Sequence, residues 1–377
     1  MNPIQVRIDA VRGLTFRGLS PGRPATVSVT TTHGGDAWVS LGTFAADRNG
    51  VIDTGRMQSI AGTYVGRSSM GLFWSQRCTT GAAVPSTAAE PVTSTVHVRQ
   101  HGEIVEVTAV RRFATSPDVE RRPATKGLIG TVHLPARPTR IPVLVLGGSE
   151  GGQNDLAAAL MAAHGHPSMA LTYFGAAGLR DRIEEVPLDY LAAAADDLAG
   201  TRPFAVYGVS KGGELALVLG ATHPAVAGVA AMVPSLPGVS ALHSDLQPWS
   251  GPGAPSGVPM GHVEPPHAGE LFAPGTAYRS PRGRGPRITV PTLLVTTGDD
   301  TVLPPLRLEV PAGKMLERVH IKGAGHLVQP PYLPTTATIA PYGDGWLLLG
   351  GDPARNALAN RTAWTKTLRF LRLLDCG

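Results

Sequence analysis

Three short stretches carry residues that could make and break an acyl bond. In Gly208-Val209-Ser210-Lys211-Gly212 a serine has a glycine two positions away on either side. In Gly298-Asp299-Asp300-Thr301-Val302-Leu303-Pro304 two carboxylates are adjacent, and in Gly323-Ala324-Gly325-His326-Leu327 a histidine follows a glycine. A serine hydroxyl becomes a useful nucleophile only when a base takes its proton, and a third group must hold that base in the correct orientation. Serine, carboxylate and histidine, in that chain order, supply all three roles. Ser210 is the expected nucleophile, His326 the base and Asp300 the orienting acid. Asp300 is preferred to Asp299 because Asp300 to Pro304 reads D-x-x-x-P, a common spacing in such acid loops.

The glycines around Ser210 have a steric purpose. A serine lifted above a strand-to-helix turn occupies a strained backbone region, and side chains two residues away would collide there. Pattern alone does not make a site, because Gly18-Leu19-Ser20-Pro21-Gly22 fits the same five letters. There a proline follows the serine and no helix-forming run comes after it, so Ser20 is read as a loop residue. His223, His243, His262 and His267 lack the post-strand glycine setting of His326.

Acyl transfer also needs two backbone N–H groups aimed at the oxyanion. One is expected from Lys211, at the start of the helix behind the serine, whose dipole favours negative charge. The other is expected from Gly147-Gly148-Ser149-Glu150-Gly151-Gly152, at Ser149 or Glu150. That loop lacks both the G-x-G-x-x-G and the Walker pattern, which argues against a phosphate loop.

The elements that must position these residues alternate along the second part of the chain. Ile141–Leu146, Met169–Tyr173, Phe204–Tyr207, Val226–Val233, Thr292–Thr297 and Arg318–Ile321 read as strands. Leu156–Ala163, Leu188–Leu198, Leu215–Leu219 and Arg355–Leu374 read as helices. Continuous apolar strands between helices predict a mostly parallel sheet covered on both faces, an α/β-hydrolase arrangement. Residues 1–118 read differently. Pro24–Thr31, Ala37–Leu41, Ser94–Val98 and Glu103–Val110 alternate apolar and polar residues between turn signals, which predicts an all-β immunoglobulin-like sandwich. The expected organisation is a β-sandwich domain over 1–118 and a catalytic domain over 119–377, with Arg111 to Lys126 as an irregular linker. Residues 236–286 are rich in Pro, Gly, Ser and His and are expected to cover the substrate.

Composition removes several function classes. With 42% apolar residues in 377 there is ample material for cores, but no run approaches the roughly 20 apolar residues of a membrane helix. The charge is +5, from 33 basic and 28 acidic residues dispersed along the chain, without the basic blocks of a nucleic-acid binder. Two distant cysteines, Cys78 and Cys376, argue against a disulfide framework or a cysteine-based zinc site. The N-terminus lacks a signal-peptide layout, and the chain is read as cytoplasmic. Nothing in the pattern calls for a metal or a cofactor.

Beyond the three stretches, strings distributed over the chain resemble one family. They are Arg17-Gly18-Leu19-Ser20-Pro21-Gly22, Gly62-Thr63-Tyr64-Val65-Gly66 and Ser69-Met70-Gly71-Leu72-Phe73-Trp74-Ser75 in the first half. In the second half they are Gly147 to Gly152, Gly208 to Leu215, Gly325-His326-Leu327-Val328-Gln329-Pro330-Pro331-Tyr332 and Gly350 to Arg355. Together these resemble the acyl-CoA thioesterases and bile acid-CoA:amino acid N-acyltransferases, which join an N-terminal β-sandwich to an α/β-hydrolase domain. The resemblance implies a Ser210–Asp300–His326 triad acting on a small-molecule acyl thioester, CoA- or carrier-bound, through an acyl-enzyme. Members that make amides use cysteine as nucleophile. Serine at 210 therefore favours water as the acceptor, with acyl transfer to an amine or alcohol as the alternative and a non-catalytic binding protein as a third reading.

Overall fold

The computed structural model of the chain describes residues 3–33, 35–81, 84–115, 117–181, 186–234, 288–303, 315–342 and 345–375. The segment expected to cover the substrate, 236–286, lies outside the described residues.

Alternating burial builds the first part of the chain. Strands β1 (Ile4–Arg7), β2 (Pro24–His33), β3 (Asp36–Ala45), β4 (Ala61–Gly62), β5 (Arg77–Cys78), β6 (Val92–Gln100) and β7 (Glu103–Phe113) form one seven-stranded sheet. Its order is β1-β7-β6-β2-β3-β4, with β5 also paired to β3. In β6 every second residue from Val92 to Gln100 is buried, the period-2 signature of a sheet with one covered face. Short ribbons complete the region. Phe16 and Ile52, from the paired segments Thr15–Phe16 and Ile52–Asp53, share a core with Val27, Val29, Val96 and Val98.

The second part is an eight-stranded sheet flanked by helices. Its strands are β8 (Val119–Pro123), β9 (Gly130–Pro135), β10 (Val143–Leu146), β11 (Ser168–Leu171), β12 (Phe204–Val209), β13 (Val226–Met232), β14 (Thr292–Thr297) and β15 (Leu316–Ile321). They run in the order β8-β9-β11-β10-β12-β13-β14-β15. The sheet is mixed, because β8–β9 and β9–β11 are antiparallel and the remaining pairs are parallel. Every residue of β10 is buried, as expected of a strand with helices on both faces. Leu144 and Leu146 pack with helices α2 (Leu188–Ala199) and α3 (Lys211–Thr222). Val143 and Val145 point the other way, into a core shared with α1 (Asp155–Ala163) and α4 (Pro353–Leu374). Among the described residues no helix is long and apolar enough to cross a membrane.

Half of the segment expected to be an irregular linker, Arg111 to Lys126, is strand. Arg111–Phe113 ends β7, and Val119–Pro123 is β8, the edge of the second sheet. Glu120, Arg121 and Arg122 hide this from a hydrophobicity reading. Charge on an exposed edge strand is how a sheet avoids pairing with another chain.

The two parts are tied by a buried acid. The Asp9 carboxylate accepts from Arg7 Nε at 2.5 Å and from Trp364 Nε1 at 3.1 Å, and lies 2.6 Å from His164 Nε2. Burial alone would raise this carboxyl, but the hydrogen bonds from His164 and Arg7 outweigh it and hold the group below its ordinary value. Asp155 behaves alike, its burial outweighed by His133 and Arg121. A carboxyl depressed in the folded state binds fewer protons there than when unfolded, so its stabilisation is present above the unfolded value near pH 4. It is lost as pH falls through the lower folded values. Urea unfolding across a pH series is expected to show that acid decline, and Asp9→Asn to remove part of it. An unchanged pH slope in the variant would take Asp9 out of the account.

Candidate active site

The centre of the site is the turn between β12 and α3. β12 is apolar and buried along most of its length, and α3 begins immediately with Lys211. Ser210, between them, has φ of 52°. A non-glycine residue there carries about 1–3 kcal/mol of strain, tolerated only where the surroundings over-determine the conformation. They do so here. Ser210 N–H donates to Met232 O at 2.9 Å, and its carbonyl accepts from Glu214 N at 3.1 Å. A Cβ on Gly208 would stand 2.0 Å from Gly212 O, and one on Gly212 would stand 2.2 Å from Gly147 O. Both contacts are with backbone, which cannot swing aside. The two glycines let the strand, the helix and the neighbouring loop meet under the serine.

The other two residues arrive from strand ends at the same edge of the sheet. His326 follows β15, and its Nε2 lies 2.9 Å from Ser210 Oγ. Its Nδ1 lies 2.8 Å from Asp300 Oδ2. The remaining oxygen of Asp300 accepts from Val302 N and Leu303 N, both at 2.9 Å, so the carboxylate is fixed by its own turn. A bridge to Gly350 holds the Asp300 backbone. The side chains of Asp300 and His326 are almost wholly withdrawn from solvent. Asp299 is exposed and points its carboxylate at no partner among the described residues. Serine, histidine and one of the two aspartates thus form a continuous chain of contacts. Such a chain can draw the hydroxyl proton onto Nε2 while the carboxylate keeps Nδ1 protonated.

The residues named as oxyanion candidates lie in two segments beside Ser210. Lys211 opens α3 directly after Ser210. Ser149 is half-buried and Glu150 exposed in the loop after β10. Gly148, in the same loop, passes close to the serine: a Cβ added there would lie 3.4 Å from Ser210 Cβ. Gly148 N–H donates to Glu150 Oε1 at 3.1 Å, so the Glu150 side chain folds back over the loop. Tyr173 braces the loop from below through its hydroxyl to Gly147 O at 2.7 Å. Burial, reinforced by Glu150 and Glu214, pushes the Tyr173 phenol well up, so it remains a donor.

Two supporting contacts went unread in the sequence. Lys211 Nζ donates to Glu214 Oε2 at 3.0 Å with both side chains buried beneath the elbow. The i,i+3 spacing is visible in Ser-Lys-Gly-Gly-Glu, but so short a pair usually lies on a helix surface. Arg112, from β7, is fully buried over the Phe73 ring, and burial pushes its guanidinium down to about 10. Its Nη1 donates to Tyr332 O at 2.8 Å, holding the chain that continues from His326, where Tyr332 adopts φ of 66°.

Comparison with known proteins places the chain in context. Residues 9–126 match the model described as the acyl-CoA thioester hydrolase/BAAT N-terminal region, and residues 287–373 match the BAAT/acyl-CoA thioester hydrolase C terminal. Human mitochondrial acyl-coenzyme A thioesterase 2 is 25% identical over 390 residues, covering 95% of this chain and 80% of that protein. Human acyl-coenzyme A thioesterase 1 is 24% identical over 390 residues, covering 95% and 91%. A crystal structure of puromycin hydrolase aligns with 90% of this chain and 52% of its own, at 15% identity and a TM-score of 0.42.

Proposed function

The chain belongs to the acyl-CoA thioester hydrolase/BAAT family, and from that membership we propose that it hydrolyses acyl thioesters through an acyl-enzyme on Ser210. The carrying observation is the unbroken contact chain Ser210–His326–Asp300. Ser210 Oγ attacks the thioester carbonyl carbon while its proton passes to His326 Nε2. The C–S bond then breaks, the thiolate takes that proton, and the acyl group remains as an ester on Ser210. Water, deprotonated by His326, attacks the ester and returns Ser210 with release of the free acid. A thiolate leaves readily, so His326 has less to do as general acid here than it would with an amide. Lys211 N–H and an N–H of the 147–152 loop, at Ser149 or Glu150, receive the carbonyl oxygen as it becomes negative.

The division of labour follows the family. A boundary near residue 118 separates an immunoglobulin-like β-sandwich from the catalytic domain, supported by the passage from β7 to β8 between the two sheets. The substrate is acyl-CoA, which is supported by the thioesterase relatives, and the compartment is the cytoplasm. The family also holds acyltransferases, and a serine ester transfers less readily to amines than a cysteine thioester does.

The test is free-thiol release from a panel of short, long and branched acyl-CoAs, with and without amine and alcohol acceptors. Release with stoichiometric free acid is expected in the absence of any acceptor. Acylated acceptor with no free acid would replace the hydrolase by a transferase.

A further inference from the structure

A cleft of about 500 Å³ opens at the seam between the two parts of the chain, lined by Arg67 and Arg77 from the first part and by Arg361 from α4. We propose that this cleft binds the phosphate-bearing nucleotide end of coenzyme A; the inference rests on the thioester reading above.

The charge arrangement carries it. Among the described residues none of the three guanidiniums has an ion-pair or side-chain hydrogen-bond partner, although they share one opening. The single carboxylate lining the cleft is Asp352, and it is already engaged, accepting from Ala354 N at 3.0 Å and Arg355 N at 3.1 Å as the cap of α4. Three guanidiniums against one carboxylate leave an excess of positive charge in the cleft, and an anion placed among them offsets it. Planar guanidinium forks suit phosphate oxygens in particular, because each can donate two parallel hydrogen bonds. The cleft also offers apolar surface for a flat base, at Val65, which is 74% exposed, and at Leu358.

Its position relative to the serine fits a substrate with a long arm. The first turn of α4 is fastened to the histidine loop: Asp352 N donates to Gly323 O at 2.9 Å, and Gly325 N donates to Asn356 Oδ1 at 2.8 Å. Tyr332 lines the cleft and lies six positions after His326, a stretch that spans at most about 20 Å. A ligand with its phosphates at the arginines and its thioester at Ser210 has to cross that interval, and the extended arm of pantetheine can do so. The seam itself is stitched by Thr335 N to Trp74 O at 2.8 Å and Thr336 Oγ1 to Gln76 O at 2.6 Å, which hold the two parts together beside the opening.

The experiment compares one acyl group carried on CoA and on pantetheine, in the full-length protein and in Arg77→Ala, Arg361→Ala and the double variant. The wild type is expected to prefer acyl-CoA, and each variant to raise KM for acyl-CoA about tenfold. In the double variant the preference for CoA over pantetheine should collapse toward one. Equal losses on both carriers, or an unaltered preference, would overturn the site. A second readout does not depend on turnover: adenosine 3′-phosphate 5′-diphosphate titrated calorimetrically into Ser210→Ala protein should bind, and should fail to bind once Arg77 and Arg361 are also replaced. Inorganic pyrophosphate bound as tightly as the nucleotide would overturn the nucleotide assignment. Thiol release without nucleotide binding would sink this cleft and leave the hydrolase standing. Arginine-dependent nucleotide binding without thiol release from any thioester would do the reverse.

Discussion

Replacing Ser210 by alanine is expected to lower kcat for thioester hydrolysis by about 10³ or more while leaving the thermal unfolding transition in place. The activity loss follows from the geometry, since His326 Nε2 would then face a methyl group instead of a hydroxyl 2.9 Å away. What survives would come from oxyanion stabilisation and binding alone. Stability should barely move, for a different reason. The positive φ at this position penalises any residue with a Cβ, so serine and alanine bear the same strain. The hydroxyl's contact with His326 is one polar contact in a nearly buried site, worth about 1 kcal/mol net. Thiol release and a thermal melt on the same preparations decide the matter. Wild-type turnover in a folded Ser210→Ala protein would remove the nucleophile assignment.

The second large effect concerns the acid. Asp300→Asn is expected to reduce kcat by about 10²–10⁴, whereas Asp299→Asn should behave like the wild type. The substitution is nearly isosteric, and the amide oxygen can still accept from Val302 N and Leu303 N. The amide nitrogen would then face His326 Nδ1 as a donor, which favours the tautomer with its proton on Nε2. That tautomer cannot accept the serine proton. The loss should therefore shrink as rising pH generates the hydroxyl's conjugate base by other means, and a kcat–pH profile reports it. Similar kcat losses from both substitutions would mean that the loop is sensitive as a whole and that Asp300 has no special role.

Some of this site could be read without coordinates because its requirements are local. Strand, turn and helix around Ser210 lie within one stretch of chain, and the clash that forces glycine at 208 and 212 arises two residues from the serine or against the adjoining loop. Continuous apolar runs such as Val143 to Leu146 announce burial on both faces for the same reason: every side chain must find a core. The strand-end positions of Asp300 and His326 follow from chain order on a parallel sheet. The apolar content of each run sets the element, and the element sets where its loop emerges.

The amino-acid sequence by itself thus determined the two-part plan, the elbow and the order of the three polar residues. The D-x-x-x-P spacing favoured Asp300, and the tertiary structure supplies the contact that separates it from its neighbour. Asp299 and Asp300 are chemically identical and adjacent, and the bridge from Asp300 to Gly350, fifty positions away in the sequence, turns one inward and leaves the other in solvent. The same holds for β8, whose charged residues conceal a strand that exists only because β9 offers it an edge. It holds for Arg112, buried against Phe73 and Tyr332, and for Asp9 beside His164 and Trp364. The contacts of Arg112 and Asp9 with these partners join residues far apart along the chain. A buried charge must be satisfied, and where the partner is brought in by folding from a distant part of the chain no local pattern reports who it will be.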